Sequence, residues 1–188
     1  MNTRDRLVSL LAERAYREGD FVLSSGARST FYLDAKQVTY DPHGAQLVGE
    51  AVLELARARG IDAVGGLTMG ADAIVASTVY AAGQHDYPMI GFIVRKESKQ
   101  HGLQKFIEGI DPKGRTAVIV DDVITSAGSA IKAVERAEAA GAKVVLVVGV
   151  VDREEGGAKA LAARGIEFAP LATLGEIKAK VESRESGI

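Results

Sequence analysis

The hydrophobic pattern of this chain changes character once, near residue 40. Before that point, Leu7, Leu10, Leu11 and Ala15 recur at helical spacing and predict an amphipathic helix over residues 2–17, ended near Gly19. FVLSSGARSTFYLDAKQV follows at 21–38, two short β-like pieces around a Ser-Ser-Gly turn, so residues 1–40 predict a helix and a small hood. From Asp41 the pattern becomes regular. Asp41 and Pro42 open a helix with its apolar face at Leu47, Val48, Ala51, Val52 and Leu55, and Gly60 lies past its end. Residues 61–67 read as a strand, 71–82 as a helix, MIGFIV at 89–94 as a strand, and 102–114 as a loop. A third strand at 116–120 leads to a helix ending near Gly141, and VVLVVGVV at 144–151 is the most apolar strand. A helix at 154–164, an edge strand at 166–170 and a last helix capped by Thr173 and Glu176 complete the series.

Strands that are apolar throughout, alternating with helices, predict an α/β fold: a central, mostly parallel sheet covered on both faces in a single domain, residues 41–188 forming the core. In such sheets ligands gather where strands run out at the carboxyl edge. RTAVIVDDVITSAGSA, residues 115–130, puts two acids and then hydroxyls and small residues at that edge. Backbone N–H groups of Thr125, Ser126, Ala127, Gly128 and Ser129 can close around a phosphate at the positive end of the next helix. Asp121 and Asp122 repel phosphate and suit hydroxyls or a magnesium ion. A ribose 5-phosphate satisfies both halves.

Composition narrows the field. The 188 residues include no cysteine, which excludes disulfides, thiolate metal sites and cysteine nucleophiles, and the net charge of −2 gives no reason to expect nucleic acid or an acidic membrane as a partner. The first residues are too charged for a secretion signal and no apolar run approaches a membrane span, so a cytoplasmic protein is expected. Against the mild overall acidity, RKESKQHG at 95–102 gathers Arg95, Lys96, Lys99 and His101 just past MIGFIV. Such a cluster suits a polyanion; by composition alone it reads equally as a solvated basic loop. His43 and His85 read as surface residues. Walker, dinucleotide-binding and zinc-peptidase patterns are absent.

VIVDDVITSAGS resembles the phosphoribosyl-pyrophosphate (PRPP) signature of the type I phosphoribosyltransferases. RKESKQHG with a downstream IEG, and LSSGARSTFYLDAK at 23–36, resemble the catalytic loop and hood of the orotate-using members. The resemblance implies the type I fold and a donor site in which Asp121, Asp122, Val123, Ile124 and residues 125–129 hold the ribose phosphate. It implies pyrophosphate contacts from Arg95, Lys96, Lys99 and His101, with Lys99 and His101 nearest the leaving group. The turn in GGLTMGADAIVA would hold pyrophosphate through the backbone of Thr68, Met69, Gly70 and Ala71; many members carry lysine where this chain has Met69, and lysine again at the position of Ser24. Arg153, in DRE after the most apolar strand, is expected to grip the orotate carboxylate, with Thr125 and Tyr32, or Phe31, beside the base. A surface ion pair with Glu154 or Glu155 is the other reading of Arg153. Mg²⁺ is implied as cofactor, held by PRPP and water with no direct protein ligand, as is a homodimer sharing the catalytic loop. Two alternatives remain: a purine phosphoribosyltransferase, and a regulator of the same fold that senses PRPP or a nucleotide.

Overall fold

Strands and helices alternate from residue 42 onward in a computed structural model that describes residues 2–22, 26, 28–97 and 106–186. Helix α1 (Thr3–Arg14) is capped by the Asn2 side chain, which accepts from the Asp5 N–H. Strands β1 (Tyr16–Val22) and β2 (Arg28–Leu33) form an antiparallel ribbon of their own. The short α2 (Lys36–Thr39) leads into α3 (Pro42–Arg57), where Asp41 accepts from the N–H groups of His43 and Gly44, as the Asp-Pro start predicts. The remaining order is β3 (Ala63–Leu67), α4 (Asp72–Gln84), β4 (Ile90–Val94), β5 (Ile107–Gly109), β6 (Thr116–Ile124), α5 (Gly128–Ala139), β7 (Lys143–Asp152), α6 (Gly157–Ala162), β8 (Glu167–Thr173) and α7 (Leu174–Glu185).

Six strands make one sheet in the order β5-β4-β3-β6-β7-β8, parallel except for the β4–β5 pair. Side chains alternate between its faces. Val64, Val118, Val120, Leu146 and Val148 join a core with Leu7, Leu11, Val52, Ile74 and Ile177 from the helices on one side. Ala63, Ala117, Ile119 and Val147 join another with Ala133, Val134 and Leu161 on the opposite side. Both faces being covered, each strand is apolar at nearly every position, which is why its period looks continuous in the sequence.

Three local expectations change. The first helix stops at Arg14, because Tyr16 is drawn into β1, where its ring stacks on Phe31 at 5.7 Å. Helix α1 belongs to the main core through Leu7 and Leu11, leaving only the β1–β2 ribbon as a separate layer. Within the expected loop, residues 107–109 form an edge strand against residues 92–94.

The topology fixes where a ligand can enter. β3 leads through α4 to β4 on one side, whereas β6 leads through α5 to β7 and onward to β8 on the other, so strand order reverses between β3 and β6. Their ladder ends at the Gly65–Ile119 pair while β6 continues to Ile124 against β7. A cleft opens there.

Candidate active site

Asp121 and Asp122 stand within the last part of β6, not beyond it as the sequence suggested, because the ladder to β7 continues past them to Ile124. Asp121 accepts the Asp122 N–H at 3.1 Å, and Asp122 accepts the Val123 N–H at 3.0 Å. Burial pushes the Asp121 carboxyl up to about 7, and the neighbouring Asp122 charge adds to the shift. Asp122 has a cation. Lys36, at the start of α2, places Nζ 3.2 Å from Asp122 Oδ2 and 2.8 Å from Asp34 Oδ1. Burial acts to lower the Lys36 pKa, but the two carboxylates outweigh it and the ammonium is held above its ordinary value; Asp34, itself pushed up by burial, ends below its ordinary value through Lys36 and Gln37.

The turn from β3 into α4 faces these acids. The Thr68–Met69 peptide is cis, and a Cβ on Gly70 would fall 2.6 Å from Asp122 Oδ1 and 2.7 Å from Asp121 Oδ1, so glycine is what lets this backbone reach the acids. Thr68 Oγ1 donates to Asp72 Oδ2 at 2.9 Å. Lys36, Leu67, Thr68, Met69, Gly70, Lys96, Asp121, Asp122 and Ser129 line one cavity of about 220 Å³. The resemblance-based positions on β3, β4, β6 and α5 therefore meet around one space. A larger hollow of about 860 Å³ lies between α3 and α4, but its lining is mostly Ala, Tyr, Gln and Pro with one His85–Glu50 pair, so the chemistry assigns the site to the smaller cavity.

Beyond β6, Ala127 takes the left-handed conformation (φ 63°) and α5 begins at Gly128. Thr125, Ser126, Gly128 and Ser129 are solvent-accessible to differing degrees around that helix start, while Ala127 is buried. Val123 and Ile124 behave differently: Ile124 fills the space left by Gly149 and Gly157, and Val123 packs on the core. Their side chains serve the sheet, which leaves any donor contact to their backbone.

On the β4 side, Arg95 pairs with Glu108 at 2.8 Å and Lys96 reaches the cavity lining. Lys99 and His101 lie outside the described residues, as does Ser24. Sequence reasoning missed Arg136, on α5. Its guanidinium donates to the carbonyls of Arg95 and Lys96, the second at 3.2 Å, and lies 3.9 Å from the Phe106 ring centre. It thereby ties α5 to both strands of the sheet edge.

Arg153 follows β7, its N–H bound to the Ile124 carbonyl at 2.9 Å, which brings it beside the end of β6. Its side chain is only 17% exposed and pairs with Glu155 at 2.7 Å, with the guanidinium 5.1 Å from the Phe31 ring centre. The ion pair with Glu155 is thus present. Tyr32 points to the other side of the ribbon, as alternation requires, where its ring meets Phe21 at 5.6 Å; of the two aromatic candidates, Phe31 is the one placed against Arg153.

Among the described residues no group of three or more His, Cys, Asp or Glu side chains converges to hold a metal ion. The arrangement can hold an anion at α5 and hydroxyls at the acids, and it offers cations from β4 and α2.

Comparison with known proteins identifies the family and the fold. A profile of the phosphoribosyl transferase domain matches residues 34–165. The orotate phosphoribosyltransferase of Rhodopirellula baltica is 44% identical over 174 residues, 89% of this chain and 90% of the relative. That of Aquifex aeolicus is 40% identical, over 94% of this chain and 98% of its own. Among solved structures, Mycobacterium tuberculosis orotate phosphoribosyltransferase in complex with PRPP superposes with a TM-score of 0.81 at 30% identity, covering 94% of this chain and 99% of that one.

Proposed function

This chain belongs to the phosphoribosyltransferase family, among the orotate phosphoribosyltransferases, and on that premise we propose that it transfers the 5-phosphoribosyl group of PRPP to orotate. The products are orotidine 5′-monophosphate and pyrophosphate, in pyrimidine biosynthesis. The observation that carries the reading is the meeting of the β3–α4 turn with Asp121 and Asp122 where strand order reverses, with Arg153 at the end of the adjacent strand.

Each element has a task in this reaction. Backbone N–H groups and hydroxyls of residues 125–129 hold the donor's 5-phosphate at the positive end of α5. Asp121 and Asp122 accept from the ribose hydroxyls, which fixes the sugar, and their charge favours the positive character that grows at its reacting carbon. The backbone of Thr68, Met69, Gly70 and Ala71 faces the diphosphate, since an apolar thioether at 69 offers no charge. Arg95 and Lys96, with Lys99 and His101 by family resemblance, stabilise the departing oxygens. Arg153 takes the orotate carboxylate in two parallel hydrogen bonds, Phe31 packs behind its guanidinium in place of Tyr32, which is turned to the other face of the ribbon, and Thr125 is the further candidate for contact with the base.

Mg²⁺ would be held mainly by PRPP and water, beside the carboxylates of Asp121 and Asp122 in the cavity lining. When bound it offsets charge on the leaving group. The same reading includes a cytoplasmic homodimer that shares its catalytic loop between subunits, with neither nucleic acid nor membrane as partner; no helix among the described residues is long and apolar enough to cross a membrane.

The test is an assay that follows orotate loss with PRPP and Mg²⁺. Orotate-dependent release of pyrophosphate is expected. Pyrophosphate release with hypoxanthine and none with orotate would transfer the assignment to a purine acceptor.

A further inference from the structure

Two adjacent carboxylates make an awkward wall for a cavity whose ligand is a polyanion. Asp121 is nearly removed from solvent and Asp122 is half-buried beside it, while Asp72 stands behind Thr68 on the facing turn. The cations of that wall are Lys96 after β4 and Lys36. Lys96 is solvent-exposed at the rim. Lys36 is different: its Nζ sits between Asp34 Oδ1 and Asp122 Oδ2, at 2.8 and 3.2 Å, and its backbone N–H is also bound by Asp34 at 3.2 Å. It therefore joins the end of β2 to the middle of the donor site across 86 positions of sequence. A mere surface ion pair would stabilise the fold little. One that lines the cavity and touches an acid facing the donor changes the charge that an incoming ligand meets.

We infer that Lys36 is a positioning residue of the donor site: its bridge from Asp34 holds the Asp122 carboxylate aimed at the donor's hydroxyls and offsets the negative wall that PRPP must approach. The inference rests on the proposed donor. Its chemistry follows from the neighbours. Without the ammonium, Asp121 loses a nearby charge that acts to lower its pKa, so it titrates higher still, and Asp122 loses the cation that holds its carboxylate in place. A protonated acid can still meet a hydroxyl, but it neither fixes the sugar as firmly nor supports positive charge on it. The methionine at 69 adds no charge to the turn, which leaves this ammonium the cation closest to the two acids within the cavity lining.

Lys36→Gln and Lys36→Arg, with Asp34→Asn as a variant that keeps the lysine, provide the test. Steady-state rates are measured against both substrates from pH 5.5 to 9, and PRPP binding by calorimetry. For Lys36→Gln, the KM for PRPP rises about tenfold or more, the scale of a lost charged hydrogen bond. The KM for orotate stays within about twofold, and the acid limb of kcat/KM for PRPP moves to higher pH. Lys36→Arg restores most of the affinity. Asp34→Asn moves the acid limb to lower pH, because Lys36 then serves Asp122 alone. A folded Lys36→Gln protein with unchanged PRPP affinity and an unmoved acid limb overturns the inference, as does an equal rise in both KM values. A wild-type protein that binds no PRPP overturns the proposed function itself, an outcome the calorimetry separates from the first.

Discussion

Asp121 carries a cost that the sequence alone conceals. A carboxyl pushed from an ordinary value of 3.8 to about 7 is protonated in the folded protein over a range where the unfolded chain has already ionised it. Its contribution to stability is present below the unfolded value and is lost as pH rises through about 7. Asp121→Asn removes that dependence. Its melting temperature should exceed the wild type's by several degrees at pH 8, on a scale of about 2–4 °C per kcal/mol for a chain of this size, and match it near pH 4. An equal difference at both pH values would mean that Asp121 ionises normally. Arg153 poses the opposite case, a charge already engaged. In the proposed reaction orotate would have to displace Glu155 or share the guanidinium with it. Arg153→Ala should raise the orotate KM far more than the PRPP KM, while Glu155→Gln should lower the orotate KM by about two- to fivefold, the value of one exposed ion pair. Equal effects of Arg153→Ala on both substrates would remove it from the acceptor site.

At the scale of elements, what could be read from the sequence is what is local. The apolar runs of β3, β4, β6 and β7, the Asp41-Pro42 helix start and the Thr173–Glu176 capping box are all fixed by residues within a few positions of one another, and all are present. The end of β6 was misjudged because two aspartates look like a strand terminus; pairing with the apolar β7 carries the strand on past them. β5 was missed since three residues at a sheet edge leave no periodic trace. Lys36 and Arg136 were missed for another reason: their partners lie 86 and 41 positions away, and no local pattern encodes such a contact. Arg136 matters to the relation between elements. It links α5, whose first turn borders the proposed phosphate site, to the backbone at 95 and 96 and to the Phe106 ring just before the returning strand. Arg136→Leu should therefore increase amide hydrogen exchange in residues 92–97 and 106–110 severalfold, with little change in β7. Unaltered exchange at the sheet edge would show that backbone pairing between β4 and β5 suffices there.

For the whole molecule, the candidate site borders a second hollow that shares Lys36 and Met69 with it. Tyr40 and Met69, both largely exposed, line a shallow hollow with Lys36 and Asp34, and Tyr40 also borders the larger hollow between α3 and α4, where Tyr80 is exposed. Exposed aromatic and thioether side chains gathered beside a site are a surface that a second subunit would cover. The proposed dimer is one in which one chain's catalytic loop serves the other's donor site. That arrangement makes a prediction no single-chain reading shares. Lys99→Ala leaves the acids of its own site intact, and Asp122→Ala leaves its own loop intact. Each homodimer should be nearly inactive. If the loop acts across the interface, a mixed dimer holds one site with both lesions and one with neither, so mixing the two proteins under conditions of subunit exchange should restore about a quarter of wild-type turnover at statistical mixing, half of the dimers being mixed with one working site each. If the loop serves its own chain, every site in every dimer carries one lesion and mixing restores nothing. The measurement is the orotate-consuming rate before and after exchange, with mixed-dimer formation verified by native mass spectrometry, and an unchanged rate once mixed dimers have formed refutes the shared loop.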